Sequence, residues 1–134
     1  MVLHFYIFCY TYGMKIIQYS FVCYPTKDMA KARAFYEGVL GLVPNGEYTS
    51  DQFTEYNIGD SALALGNMDG FEPNAGGGCA AFEVEDFDGV MKELKEKGVS
   101  FIFGPMETPV CHMAQLKDPD GNSLMIHRRK EKKS

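Results

Sequence analysis

Lys117–His127 reads KDPDGNSLMIH, and this stretch decides the fold because it joins the sharpest turn in the chain to a strand of regular alternation. Asp118, Pro119, Asp120, Gly121 and Asn122 specify a tight turn. Proline presets φ, Asp118 can bond back to the backbone and Gly121 tolerates positive φ. On the strand that follows, Ser123, Met125 and His127 share one face while Leu124 and Ile126 share the other. What Met125 faces decides the function.

Working outward, the segment Lys15–Tyr24, KIIQYSFVCY, is rich in β-branched and aromatic residues and predicts a strand with Tyr19, Phe21 and Cys23 on one face. Asp28 caps a helix whose apolar positions Met29, Ala32, Phe35, Tyr36, Val39 and Leu40 recur at helical spacing, with Gly41 as its stop. Short strands are predicted around Glu47–Tyr48, Phe53–Asn57 and Ala62–Leu65, the last two joined through Gly59 and Asp60. A Pro- and Gly-containing linker covers 67–77. The pattern then restarts: a strand over Gly78–Val84, a helix capped by Asp86 and stopped by Gly98, and strands near Ser100–Phe103 and Val110–Lys117. Setting Asp28 over Asp86 aligns strand, helix and glycine stop at an offset of 58 residues. The chain is an internal duplication of a βαβββ unit.

Three stretches, KDMAKARAFYEGVLGL (Lys27–Leu42), FEVEDFDGVMKELKEKGV (Phe82–Val99) and the DPDGN turn, together resemble the vicinal oxygen chelate superfamily of glyoxalase I, extradiol dioxygenases, fosfomycin resistance enzymes and bleomycin resistance proteins. The resemblance spans Lys15–His127. It implies an α+β fold of two βαβββ modules whose curved sheets form a cup, usually completed in a homodimer. It also divides the chain into a leader (1–13) outside the fold, one domain (14–128) made of module one (14–66), the linker (67–77) and module two (78–128), and a basic tail (129–134).

In metal-using relatives the cup holds a divalent ion through one side chain on each of four strands. Carried over by motif, these positions are Phe21, Ala64 (or Leu65 if the register slips by one), Cys79 and Met125. Phenylalanine and alanine offer no lone pair, and a neutral thioether is a poor ligand for hard or borderline ions. Only Cys79 can coordinate. The resemblance, read on these residues, therefore implies no divalent metal site, no resident cofactor and no ordinary glyoxalase activity.

What remains is a lining and a few reactive groups. Phe21, Tyr24, Phe53, Tyr56 and Met125 can line the cup, although the same residues can equally be core. Glu55 on an inward face would bind a cationic group, because a desolvated carboxylate needs a partner. Cys79, His112 and His127 are the candidates for catalysis: a thiol is nucleophilic when a neighbouring imidazole lowers its pKa, and an imidazole is a general base near neutral pH. A rearranged metal site using Cys79, His112 and Glu55 or His127 is a further alternative. Two functions are thus expected: a metal-independent module binding a small, partly apolar molecule, or a lyase, isomerase or dioxygenase with a relocated site.

Charge and composition bound the partners. The net charge of −5 hides a tail of five basic residues and one acidic, Arg128–Ser134, which leaves 8 basic against 17 acidic residues in the body. An acidic body opposes binding to phosphate backbones, so nucleic acid is not an expected partner. Cys9, Cys23, Cys79 and Cys111 form no CxxC pair, which suggests reduced thiols in a cytoplasm. The apolar leader 1–13 is shorter than the roughly 20 residues a bilayer span requires, so no membrane partner is expected.

Overall fold

The computed structural model describes residues 19–74 and 76–131, apart from the side chain of Tyr48. The leader, the expected strand start at Lys15 and the end of the basic tail lie outside the described residues.

Module one runs β1 (Val22–Pro25), α1 (Met29–Arg33), β2 (Pro44–Thr49), β3 (Phe53–Ile58) and β4 (Ser61–Gly66). Module two runs β5 (Ala80–Glu83), α2 (Phe87–Glu96), β6 (Phe101–Glu107), β7 (Cys111–Lys117) and β8 (Ser123–Arg129). Each forms a four-stranded sheet of the same order, β1-β4-β3-β2 and β5-β8-β7-β6. In each the first strand lies parallel to the last, which is the closure a βαβββ unit requires. β1 is shorter than expected, with Tyr19 and Phe21 exposed ahead of it.

The helices start and stop where the sequence places them. Asp28 accepts from the Lys31 N–H and Asp86 from the Gly89 N–H, each satisfying one of the donors a helix start leaves free. Gly41 (φ +76°) and Gly98 (φ +80°) end them in the left-handed conformation. Glu93 and Lys97 pair at 3.3 Å as i,i+4 neighbours. One departure is local: from Ala34 to Val39 the first helix widens into π-type turns, the Leu40 N–H bonding to Phe35 five residues back. In this widened turn Tyr36 is fully buried and its hydroxyl donates to Asp118 at 2.8 Å.

One core serves both modules. Tyr24, Tyr36, Tyr56, Leu63 and Leu65 from the first pack with Phe87, Met91, Leu94, Leu116, Leu124 and Ile126 from the second in a single cluster. Each sheet therefore buries one face under the helices and turns the other outward. No helix among the described residues is long and apolar enough to cross a membrane.

Polar bonds between the modules converge on the Asp118 turn. Asp118 is 5 % exposed; one carboxylate oxygen accepts from the Asp120 and Asn122 N–H groups, the other from Tyr36 and the Asn122 side chain. Asn122 in turn donates to the Pro25 carbonyl at 2.9 Å, while Asp120 accepts from Thr26 Oγ1 and the Lys27 N–H. Across the same seam the Tyr24 hydroxyl donates to the Ser123 carbonyl and accepts from the Ala80 N–H. Burial, with the Asp118 carboxylate second, pushes the Tyr36 hydroxyl pKa far up, so it remains a donor throughout the working pH range.

Asp118→Ala strands the Tyr36 hydroxyl and the Asn122 backbone N–H in the interior and is expected to cost about 3 kcal/mol or more, since each orphaned buried group costs roughly 1–3. Tyr36→Phe, which leaves the carboxylate its other donors, is expected to cost about 1 kcal/mol. Urea unfolding of the two variants checks the order. A second prediction concerns Glu37, whose carboxyl is held below its ordinary value of 4.5 chiefly by Arg33, with help from the Tyr56 hydroxyl. Its folded pKa is depressed, so its contribution is complete above about pH 4.5 and is lost as the pH falls through the folded value. The stability gap between the parent protein and Glu37→Gln is expected to close on acidification.

Candidate functional site

The outward faces carry the candidate site, and strand register says which side chains stand on them. In module one Cys23 lies opposite Ala64, and Ala64 opposite Glu55. In module two Ala81 lies opposite Met125, and Met125 opposite Gln115. The two rows are equivalent under the duplication. The alternate residues on the same strands, Val22, Leu63 and Tyr56 or Phe82, Ile126 and Ala114, belong to the core or pack against it.

Of the four positions that the family resemblance assigns to metal ligands, the register places Ala64 and Met125, while Phe21 and Cys79 each stand one residue ahead of a strand. Phe21 stands just before β1, 44 % exposed, its ring edge-on to Phe53 at 6.2 Å. Ala64 sits in the outer row, itself 0 % exposed, and Leu65 in the core. Cys79 immediately precedes β5, and Met125 is half-buried at the centre of β8. A phenyl ring and a methyl group cannot bind an ion, and a thiol with a thioether does not make a site for Zn²⁺, Ni²⁺, Mn²⁺ or Fe²⁺. This donor set does not fit the divalent metal of the metal-using relatives. Among the described residues no three His, Cys, Asp or Glu side chains are grouped to hold a metal ion, the Cys79, His112 and Glu55 or His127 combination included.

The candidate catalytic groups do not converge. His112 belongs to the helix side, its ring 5.6 Å from that of Phe87 at the start of α2. Cys79 lines a cleft of about 380 Å³ at the seam between modules, together with Cys23 and Glu72. His127 lines a different groove, of about 660 Å³, with Val110 and Arg129. Since His127 pairs with Glu83, four residues beyond Cys79, roughly 13 Å of strand separates thiol from imidazole. Partial burial pushes the Cys79 thiol up from its ordinary value, which disfavours the thiolate.

The expected lining is corrected at one position. Tyr56 is buried on the helix side, donating to Glu37 at 2.9 Å. Tyr24 is buried too and bridges the modules, and it lines the seam cleft with Cys23 and Cys79. Phe21, Phe53 and Met125 do stand on the outer face. Glu55 is half-buried in the outer row, and among the described residues it has no hydrogen-bond or ion-pair partner. Met68, Met106, Met113 and Phe103 escaped the sequence reading. Alternation along β7 puts Met113 and Gln115 on the face of Met125, opposite His127 and Met125 respectively, and could have found Met113. Met68 is reachable only in three dimensions: Gly66 leaves a gap in which a Cβ would lie 2.9 Å from Met68 Cε and 3.2 Å from Cys23 Sγ.

His127 is held by its neighbours. Its Nδ1 lies 2.6 Å from Glu83, whose second oxygen accepts from the Arg129 N–H at 2.7 Å. That backbone bond, with His127 second, holds the Glu83 carboxyl below its ordinary range.

Comparison with known proteins came out on one side. The sequence model of the Glyoxalase/Bleomycin resistance protein/Dioxygenase superfamily matches residues 18–126. Curated proteins give no match. Among solved structures, the antibiotic binding protein TnmS3 from Streptomyces sp. CB03234 is 24% identical, with 88% of this chain and 100% of that one covered at a TM-score of 0.73. A glyoxalase/dioxygenase from Nostoc punctiforme is 20% identical over 86% and 92%, at 0.73. Lactoylglutathione lyase from Agrobacterium tumefaciens is 18% identical over 85% and 95%, at 0.70. These likenesses show the fold.

Because the Arg129 N–H outranks His127 in lowering the Glu83 carboxyl, His127→Ala is expected to raise the Glu83 pKa only part of the way to its ordinary value. Titration of the Glu83 side-chain carbonyl by NMR measures this directly.

Proposed function

The chain belongs to the Glyoxalase/Bleomycin resistance protein/Dioxygenase superfamily, and on that premise we propose that it is a binding module which holds a small, partly apolar, cationic molecule without the family's divalent metal. What supports this reading is the donor set: Phe21, Ala64, Cys79 and Met125 are the residues that the family resemblance assigns to the four ligand positions, and together they make no divalent site. What replaces them is aromatic and thioether surface, with Phe53 beside Phe21 and Met68 over Cys23. Methionine is polarisable and flexible, and it suits a pocket that must fit an apolar guest. Glu55 supplies one half-buried carboxylate without a partner among the described residues, the group a cationic substituent would meet. The acidic body attracts such a guest at long range.

A second copy that sets its module two against module one of the first would complete the cup. The homodimer is part of this reading. Free thiols at Cys23, Cys79 and Cys111 fit a reducing cytoplasm. An antibiotic-binding protein among the structural neighbours accords with sequestration. The enzyme alternative uses Cys79, His112 or His127; these stand on different faces or in different grooves, so any one of them would act without the other two.

The test pairs a planar aromatic cation with its uncharged isostere in calorimetric titrations. The cation is expected to bind saturably, and Glu55→Gln to weaken it about tenfold, equivalent to roughly 1.4 kcal/mol, while leaving the neutral isostere unchanged. Stoichiometric divalent metal in protein purified without chelator, or a thermal stabilisation by Zn²⁺, Ni²⁺, Mn²⁺ or Fe²⁺ that Cys79→Ala abolishes, would overturn the reading.

A further inference from the structure

One row of the module-two sheet carries a different chemistry from the rest of the face. Met106 lies opposite Met113, Met113 opposite His127, and His127 opposite Glu83, so four strands contribute one side chain each in sequence across the sheet. All four point outward. The chain neighbours Ala114 and Ile126 are buried in the core, while Met106 is 45 % exposed and Met113 and His127 are half-buried. Directly opposed strand residues have Cβ atoms about 4.5–5.5 Å apart, a span that flexible thioethers close easily.

From this row we propose that Met106 Sδ, Met113 Sδ and His127 Nε2 form a site for a soft monovalent cation of the Cu(I) class. The imidazole is oriented for it. Glu83 occupies Nδ1 at 2.6 Å and is itself fixed by the Arg129 N–H, which leaves Nε2 as the free nitrogen and raises its donor strength. Two neutral thioethers with one imidazole select a soft d¹⁰ ion over Mg²⁺, Ca²⁺ or Mn²⁺. Charge selects further. Glu83 is the carboxylate of the row, and the Arg128 guanidinium 3.9 Å from it offsets its charge, so a divalent ion meets about twice the repulsion of a monovalent one. Lys130 is engaged by Glu107. The site lies apart from Phe21, Ala64 and Cys79, and it stands whether or not the apolar guest proposed above is correct.

Ag(I) in chloride-free buffer is the probe, added to the full chain after its thiols have been alkylated. The protein is isotope-labelled at methionine methyls and histidine nitrogens, so that only metal bound at these groups is read. The Met106 and Met113 methyls and His127 Nε2 are expected to shift in one saturable step with a common midpoint, while the core methyls of Met29 and Met91 stay in place. Met113→Leu is near-isosteric and is expected to raise the midpoint about tenfold or more. Met106→Leu, at an exposed position that folding does not depend on, is expected to do the same. Separate midpoints for the two methyls, an unmoved Nε2, or an unchanged midpoint in either leucine variant would overturn the proposal.

Discussion

A single buried carboxylate holds the two halves of this protein together. Asp118 sits in a turn of module two, yet its most distant partner is Tyr36 of module one, and its remaining bonds shape the turn that also grips Pro25, Thr26 and Lys27. Apolar burial drives the halves together without direction, since hydrophobic surface has no preferred geometry. The Asp118 network supplies the direction. A buried carboxylate is costly unless every lone pair has a partner, and only one relative placement of the modules supplies them all.

With the modules docked through their helical sides, both sheets present their other faces outward. The same event that builds the core thus sets the rows carrying Cys23, Ala64 and Glu55 on one outer face and Ala81, Met125 and Gln115 on the other, with Ala64 itself fully covered. Sheet alternation does the sorting. A residue one position along is committed either to the core or to the open face, which is why Tyr56 binds Glu37 while neighbouring Glu55 has no partner among the described residues. Function in such an arrangement depends on side-chain identity at outward positions, because the fold tolerates wide substitution there.

Local chemistry was legible in the sequence. The caps at Asp28 and Asp86, the stops at Gly41 and Gly98 and the DPDGN turn each act within a few residues, and the duplication made every element count twice. Facing was harder where both sides of a strand are apolar. Cys111, His112, Met113 and Ala114 give no polar alternation, so nothing in that run says His112 faces Phe87. Tyr56 looked like lining because an aromatic ring suits either environment; its hydroxyl partner, 19 residues away along the chain, decides for the core. The π-type widening after Arg33 has no signature in the stripe itself, whose spacing fits an ordinary helix equally well.

The hydroxyl of Tyr24 has a consequence for the history of the molecule as well as for its stability. It bonds Ala80 and Ser123, 56 and 99 residues downstream, just as Tyr36 waits for Asp118. During synthesis, module one emerges with two phenols whose partners have not yet been made, and it cannot complete its interior until the last strand leaves the ribosome. Neither half retains the independence that a duplicated unit must once have had. That mutual dependence releases the outward rows from any duty to match each other: one has kept a carboxylate among small residues while the other has gathered sulfur.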